Sequence, residues 1–191
     1  MAMLSGPDIV YLGLKSHSIK RSRLLIDNSA DKLTLEVIDE LDPIHNDIVT
    51  NLVWMKNSIV SVSKDKTLKL WDVNGPCDDN ITTKPFLKTQ IINPHQQDNV
   101  SCLLGSKHCE SVLSLGNNGI IKNWHYNDDR LVCKDSLVGS QVSFLFLKTQ
   151  SVIDSTCWAD ESNLSFLVST GTKKIRLFTK QNSMDNTIEN T

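Results

Sequence analysis

The chain has 191 residues and a mass of 21.4 kDa, enough for one ordinary domain or two very small ones. Val, Ile and Thr supply 42 residues against three Ala and five Glu, which disfavours helical bundles and coiled coils and makes an all-β fold the expected class. Lys plus Arg is 20 and Asp plus Glu is 22, a net charge of −2 that excludes a polybasic nucleic-acid binder.

No apolar run approaches the roughly 18 to 20 residues needed to span a bilayer. The N-terminal segment has no basic residue ahead of its apolar part, and Gly6, Pro7 and Asp8 interrupt it, so no signal peptide is expected. The five cysteines are odd in number and lack tight spacing, which fits reduced thiols in the cytoplasm or nucleus.

The predicted elements, in chain order, begin with an extension over 1–7. A strand at 9–14, a polar turn at 15–22, the segment RLLID at 23–27 and an alternating strand at 32–38 follow, ending at a turn around Pro43. Then comes a strand at 48–55, a strand at 59–63, a turn at 64–66 and a strand at 67–73. After a polar link, a further strand is predicted at 86–92. The same build recurs: a strand at 100–104, a hairpin over 111–126 turning at Asn118–Gly119, and a strand at 131–138. It recurs once more, with a strand at 152–158 and a hairpin over 165–180. Trp71 and Trp124 lie 53 positions apart, and Phe178 follows 54 after Trp124. RLLID at 23–27 is aligned with KLWD at 69–72. Trp54 and Trp158 hold equivalent repeat positions, which predicts core packing. The units are placed at about 8–43, 44–94, 95–140 and 141–180, with a disordered polar tail at 181–191. The first unit is expected to hold only second, third and fourth strands, and the last only the first three.

The stretch from His45 to Asp72 resembles the WD-repeat family of β-propellers. His45 stands at the repeat histidine, with Ile44 in place of the usual glycine. Ser61 stands at the hydroxyl position, Asp65 at the turn aspartate, and Trp71–Asp72 at the namesake pair. The other copies diverge: Asn118 replaces the aspartate, His125 follows Trp124, and the third hairpin has Thr172 and Phe178. His95 stands in for the repeat histidine of its copy in this resemblance, one residue further from its strand than His45. The resemblance implies antiparallel four-stranded blades of a WD-repeat β-propeller, incomplete or four-bladed, about half of a common ring. It also implies a buried structural tetrad of His45, Ser61, Asp65 and Trp71, since these groups satisfy one another only when all are placed.

Function follows from the resemblance as an expectation. It implies a non-catalytic scaffold or adaptor that binds protein partners within an intracellular complex, with a second chain as one way to complete the ring. The loops before the first strand and between the second and third are the expected contact surface. They carry Asn46, Asp47, Lys64 and Lys66 in one blade, and Gln96, Gln97, Asn117 and Asn118 in the next. The alternative is an RNA- or chromatin-associated subunit using the basic turn of Lys15, His17, Lys20, Arg21 and Arg23.

Enzyme chemistry has little support. No nucleophile-elbow, zincin or P-loop motif occurs, and neither a cofactor nor a metal is expected. His45, Asp47 and Ser61 have triad residue types, but the tetrad accounts for His45 and Ser61 more economically. An enzyme built on His45 and Asp65 would need both side chains open to solvent. His95, Cys102, His108 and Cys109 have ligand chemistry without a ligand spacing.

Overall fold

The computed structural model describes residues 2–5, 9–27, 32–73, 84–105, 108, 110–117, 120–128, 130–137, 153–158, 165–170 and 174–179. Among them the chain is all-β, with no helix. No helix of the described residues is long and apolar enough to cross a membrane. The tail at 181–191 and Asn118 lie outside the described residues.

Four antiparallel sheets follow one another along the chain. The first is β1 (Ala2–Ser5), β2 (Ile9–Gly13), β3 (Ile19–Asp27) and β4 (Lys32–Glu40), hydrogen-bonded in that order. The second is β5 (Val49–Met55), β6 (Ser58–Ser63), β7 (Thr67–Asp72) and β8 (Phe86–Ile92). The third is β9 (Val100–Leu104), β10 (Ser111–Gly116), β11 (Ile121–Asn127) and β12 (Arg130–Leu137). The last has β13 (Ile153–Trp158), β14 (Ser165–Thr170) and β15 (Lys174–Thr179). The first strands β1, β5, β9 and β13 are neighbours in turn, and among the described residues the sheets are not closed into a ring.

Two expectations for the first sheet need correcting. Residues 1–7 were expected to precede the sheet as an extension, yet Ala2–Ser5 is its edge strand, paired from Ala2 with Gly13 to Ser5 with Val10. The sheet therefore has four strands, not three. The polar turn expected over 15–22 is also shorter. Ile19 is 2% exposed and already pairs with Gly13, so β3 starts there. The pairs Gly13 with Ile19 and Val62 with Leu68 close equivalent hairpins. That register sets Lys20 and Ser22, rather than the RLLID segment, against Lys69 and Trp71. His17 and Lys66 confirm the match, both adopting positive φ in the turn (76° and 61°).

The core lies between sheets. Tyr11, Ile19, Val49, Trp54, Ile59 and Trp71 fill the first interface. Tyr11 and Trp54 meet there edge to face, with ring centroids 5.8 Å apart at 88°. Val60, Val62, Leu68 and Leu70 leave the other face of the second sheet and pack on Val100, Leu103, Val112 and Trp124. β6 is thus buried on both faces, which explains its serine-punctuated apolar run without polar alternation. Each such aliphatic side chain contributes about 1.5–3 kcal/mol by leaving water. The sheets approach so closely at Gly105 that a Cβ there would sit 2.3 Å from the Trp54 carbonyl oxygen.

Candidate functional site

The second sheet brings His45, Ser61, Asp65 and Trp71 together through one hydrogen-bonded chain. Strand alternation puts Ser61 on β6 and Trp71 on β7 on one buried face, while the 44–48 loop lowers His45 onto them. Trp71 Nε1–H donates to Ser61 Oγ at 2.8 Å. Ser61 Oγ lies 2.8 Å from His45 Nε2, and His45 Nδ1 lies 3.1 Å from Asp65 Oδ2. Thr67 joins them: its hydroxyl donates to Asp65 Oδ1 at 2.6 Å and lies 2.9 Å from His45 Nδ1.

Electrostatics fixes the proton positions. Burial, reinforced by the Lys69 charge and opposed by Asp65, pushes the His45 pKa down from 6.5 to about 4. The imidazole is therefore neutral at neutral pH. Burial works against ionisation of Asp65, but hydrogen bonds from Thr67 and the Asn46 N–H, joined in acid by the charge of protonated His45, hold its carboxyl below the ordinary value. A carboxylate beside Nδ1 keeps the proton on that nitrogen. Nε2 then accepts from the Ser61 hydroxyl, which accepts from Trp71. Every donor points toward Asp65, and the chain ends at a carboxylate.

The outer end of this network grips the loop. Asn46 N–H donates to Asp65 Oδ2 at 2.8 Å, and Ser63 Oγ donates to the Asp47 carbonyl at 2.9 Å. The Asp47 carboxylate accepts the Ile48 N–H at 2.6 Å. Lys69 adds a second hold that the sequence reading missed. Its buried Nζ donates to the carbonyls of Pro43 at 2.9 Å and Ile44 at 2.8 Å, and stands 5.6 Å from the Trp71 ring centroid.

The third sheet repeats the arrangement. Trp124 Nε1–H donates to Ser114 Oγ at 2.7 Å, and Ser114 Oγ is 2.7 Å from His95 Nε2. Lys122 Nζ donates to the Pro94 carbonyl at 2.5 Å and lies 5.7 Å from the Trp124 ring centroid. A shared signal was available in the sequence: Pro43 and Pro94 precede the histidines, and a lysine stands two residues before each tryptophan.

The proposed contact residues sit at one end of these two sheets. Asn46, Lys64, Gln96, Gln97 and Asn117 are exposed, and Asp47 and Lys66 are half-buried. The loops are tied alike: Lys64 N–H donates to the Ile48 carbonyl and Asn117 N–H to the Asn99 carbonyl, each at 3.0 Å. The Asn117 side chain also accepts from Ser101 Oγ.

Other groupings come apart. His45 is 1% exposed and the Asp65 side chain 6%, so the accessible acid–base pair that an enzyme here would need does not form. The expected basic turn loses one of its five residues to the interior. Arg21 is buried in β3, donating from Nε and Nη2 to Asp39 at 3.0 and 2.5 Å, while Lys15 is exposed in the turn. Among the described residues no group of three or more His, Cys, Asp or Glu could hold a metal, and Cys109 lies outside them.

No protein-family model matches the chain, and no curated protein matches it. The chain is similar in fold to the crystal structure of the computationally designed Ika4 protein. The TM-score is 0.60 at 21% sequence identity, over 93% of this chain and 89% of that one.

Proposed function

We propose that the chain is a WD-repeat β-propeller, incomplete or four-bladed, that works as a non-catalytic scaffold for protein partners within an intracellular complex. The observation that carries this reading is the repetition of a serine-centred network in two successive sheets. In each, a tryptophan and a histidine meet on one serine hydroxyl, and a lysine fastens the carbonyl ahead of the histidine. Such networks hold loops still without offering a reactive group. Rigid loops on a sheet scaffold are the usual means of displaying contact residues.

The partner surface is then the loop end bearing Asn46, Asp47, Lys64, Lys66, Gln96, Gln97 and Asn117, with Asn118 beside them in sequence. The test is affinity capture from cell extract with the wild type and with a Lys64→Glu/Gln97→Lys variant. Both sites are exposed, so the variant retains its fold. Proteins captured by the wild type and lost by the variant support the reading. A captured set indifferent to the loop substitutions overturns it.

A further inference from the structure

We infer that β4 is a self-pairing edge through which two copies of the chain associate, at a surface separate from the loop end and independent of the reading above. β4 is the last strand of the first sheet, and among the described residues no strand pairs with its outer edge. It is exposed on both faces over residues 32–37. Leu33, Leu35 and Val37 point to one face and are 67%, 48% and 53% exposed. Three alternate aliphatic side chains on an open edge form an apolar stripe in need of cover.

The sequence of the strand is complementary to itself. A two-fold axis perpendicular to the sheet keeps side chains on their own face, so the antiparallel register must pair residues of equal parity. With Leu35 on the axis, Leu33 lies opposite Val37 of the other copy and Thr34 opposite Glu36. The two apolar stripes then become one. On the other face, Lys32 stands diagonal to Glu36 of the other copy, about 7–8 Å between backbones and within reach of a lysine. Charge is thus matched in the same register that merges the stripes. The β-bulge at Ile38, where Arg21 and Ser22 face Asp39 and Val37, ends the pairing segment.

Sedimentation equilibrium of the full chain tests this. The wild type should show a mass near twice 21.4 kDa, and Leu35→Lys, which opposes two ammonium groups on the axis, should return it to the monomer. Lys32→Glu should weaken the dimer, and the Lys32→Glu/Glu36→Lys exchange should restore it. Oxidised Leu35→Cys should cross-link to itself while Thr34→Cys does not, because only position 35 faces its own copy within disulfide reach. Circular dichroism verifies the fold of each variant. A monomeric wild type, a Leu35→Lys variant that stays dimeric, or cross-linking at Thr34→Cys but not Leu35→Cys overturns the inference. None of these outcomes depends on what the loop end binds.

Discussion

Lys69 and Pro43 are joined by a buried hydrogen bond, from Nζ to the proline carbonyl oxygen at 2.9 Å. The contact spans 26 residues and ties the middle of a strand to the loop that carries His45. Burial lowers the Lys69 pKa, with Asp65 and Asp42 opposing, so the ammonium is held by its carbonyl partners and by the Trp71 ring. Lys69→Met keeps most of the apolar stem and deletes the charge-assisted bonds. It should cost about 1.5–3 kcal/mol in urea denaturation. Hydrogen exchange should rise first in the 44–48 loop. A variant as protected there as the wild type would show that the loop is held by other means.

Ser61 is the hub of its network, accepting from Trp71 and donating to His45. Ser61→Ala strands both partners in a fully buried site, an expected loss of about 1–3 kcal/mol. Trp71→Phe removes the indole donor, so the double variant should lose less than the sum of the two single losses. A double-mutant cycle by chemical denaturation measures that coupling. Strict additivity would mean that the Trp71–Ser61 bond contributes nothing.

Acid should weaken the second sheet before it weakens carboxylate pairs. His45 titrates at about 4 in the fold and near 6.5 when unfolded. Between those values the unfolded chain binds more protons, so stability is whole above pH 6.5 and falls as pH drops toward 4. At about 1.4 kcal/mol per pH unit the loss is at most about 3–4 kcal/mol. Asp65, with its carboxyl held low, adds a loss in the same direction at still lower pH, below its ordinary value of 3.8. Denaturation midpoints measured from pH 8 to 3 should show this slope. His45→Asn should flatten the part between 6.5 and 4.

Gly105 keeps the second and third sheets in contact. A methyl group there meets the Trp54 carbonyl at 2.3 Å and Val53 Cγ2 at 3.0 Å, and backbone cannot swing aside as a side chain can. Gly105→Ala should therefore destabilise the protein by about 1–3 kcal/mol or more, as overpacking does. An unchanged melting temperature would mean that the two sheets part without cost.

Hairpins were the most legible part of the fold. The strands expected at 59–63 and 67–73 are Ser58–Ser63 and Thr67–Asp72, because β-branched runs around a short polar turn encode a local structure. The network at His45 was legible too, through the resemblance of His45–Asp72 to a WD repeat. Ala2–Ser5 was not: four residues before a Gly-Pro break say little until β2 supplies the pairing. The register of β3 was misplaced for a related reason, as tertiary burial of Ile19 overrides the polar look of its surroundings. Lys69 was passed over because a lysine on a strand reads as solvent-facing. Yet the same register position is basic in all four sheets: Lys20 opposite Leu12, Lys69 opposite Ser61, Lys122 opposite Ser114, and Arg176 opposite Val168. Three of these stand two residues before Trp71, Trp124 and Phe178 in the sequence, and the observed pairings add Lys20 to the column.

The one-way run of donors from Trp71 to Asp65 gives the molecule a built-in observer. At its inner end is an indole proton sealed from water, and at its outer end a carboxylate that also receives the Asn46 N–H of the loop. Whatever pulls on that loop shifts the carboxylate, and the shift passes through imidazole and hydroxyl to the indole. The Trp71 Nε1–H resonance is thus a natural NMR reporter of events at the rim, read from inside the sheet without a label.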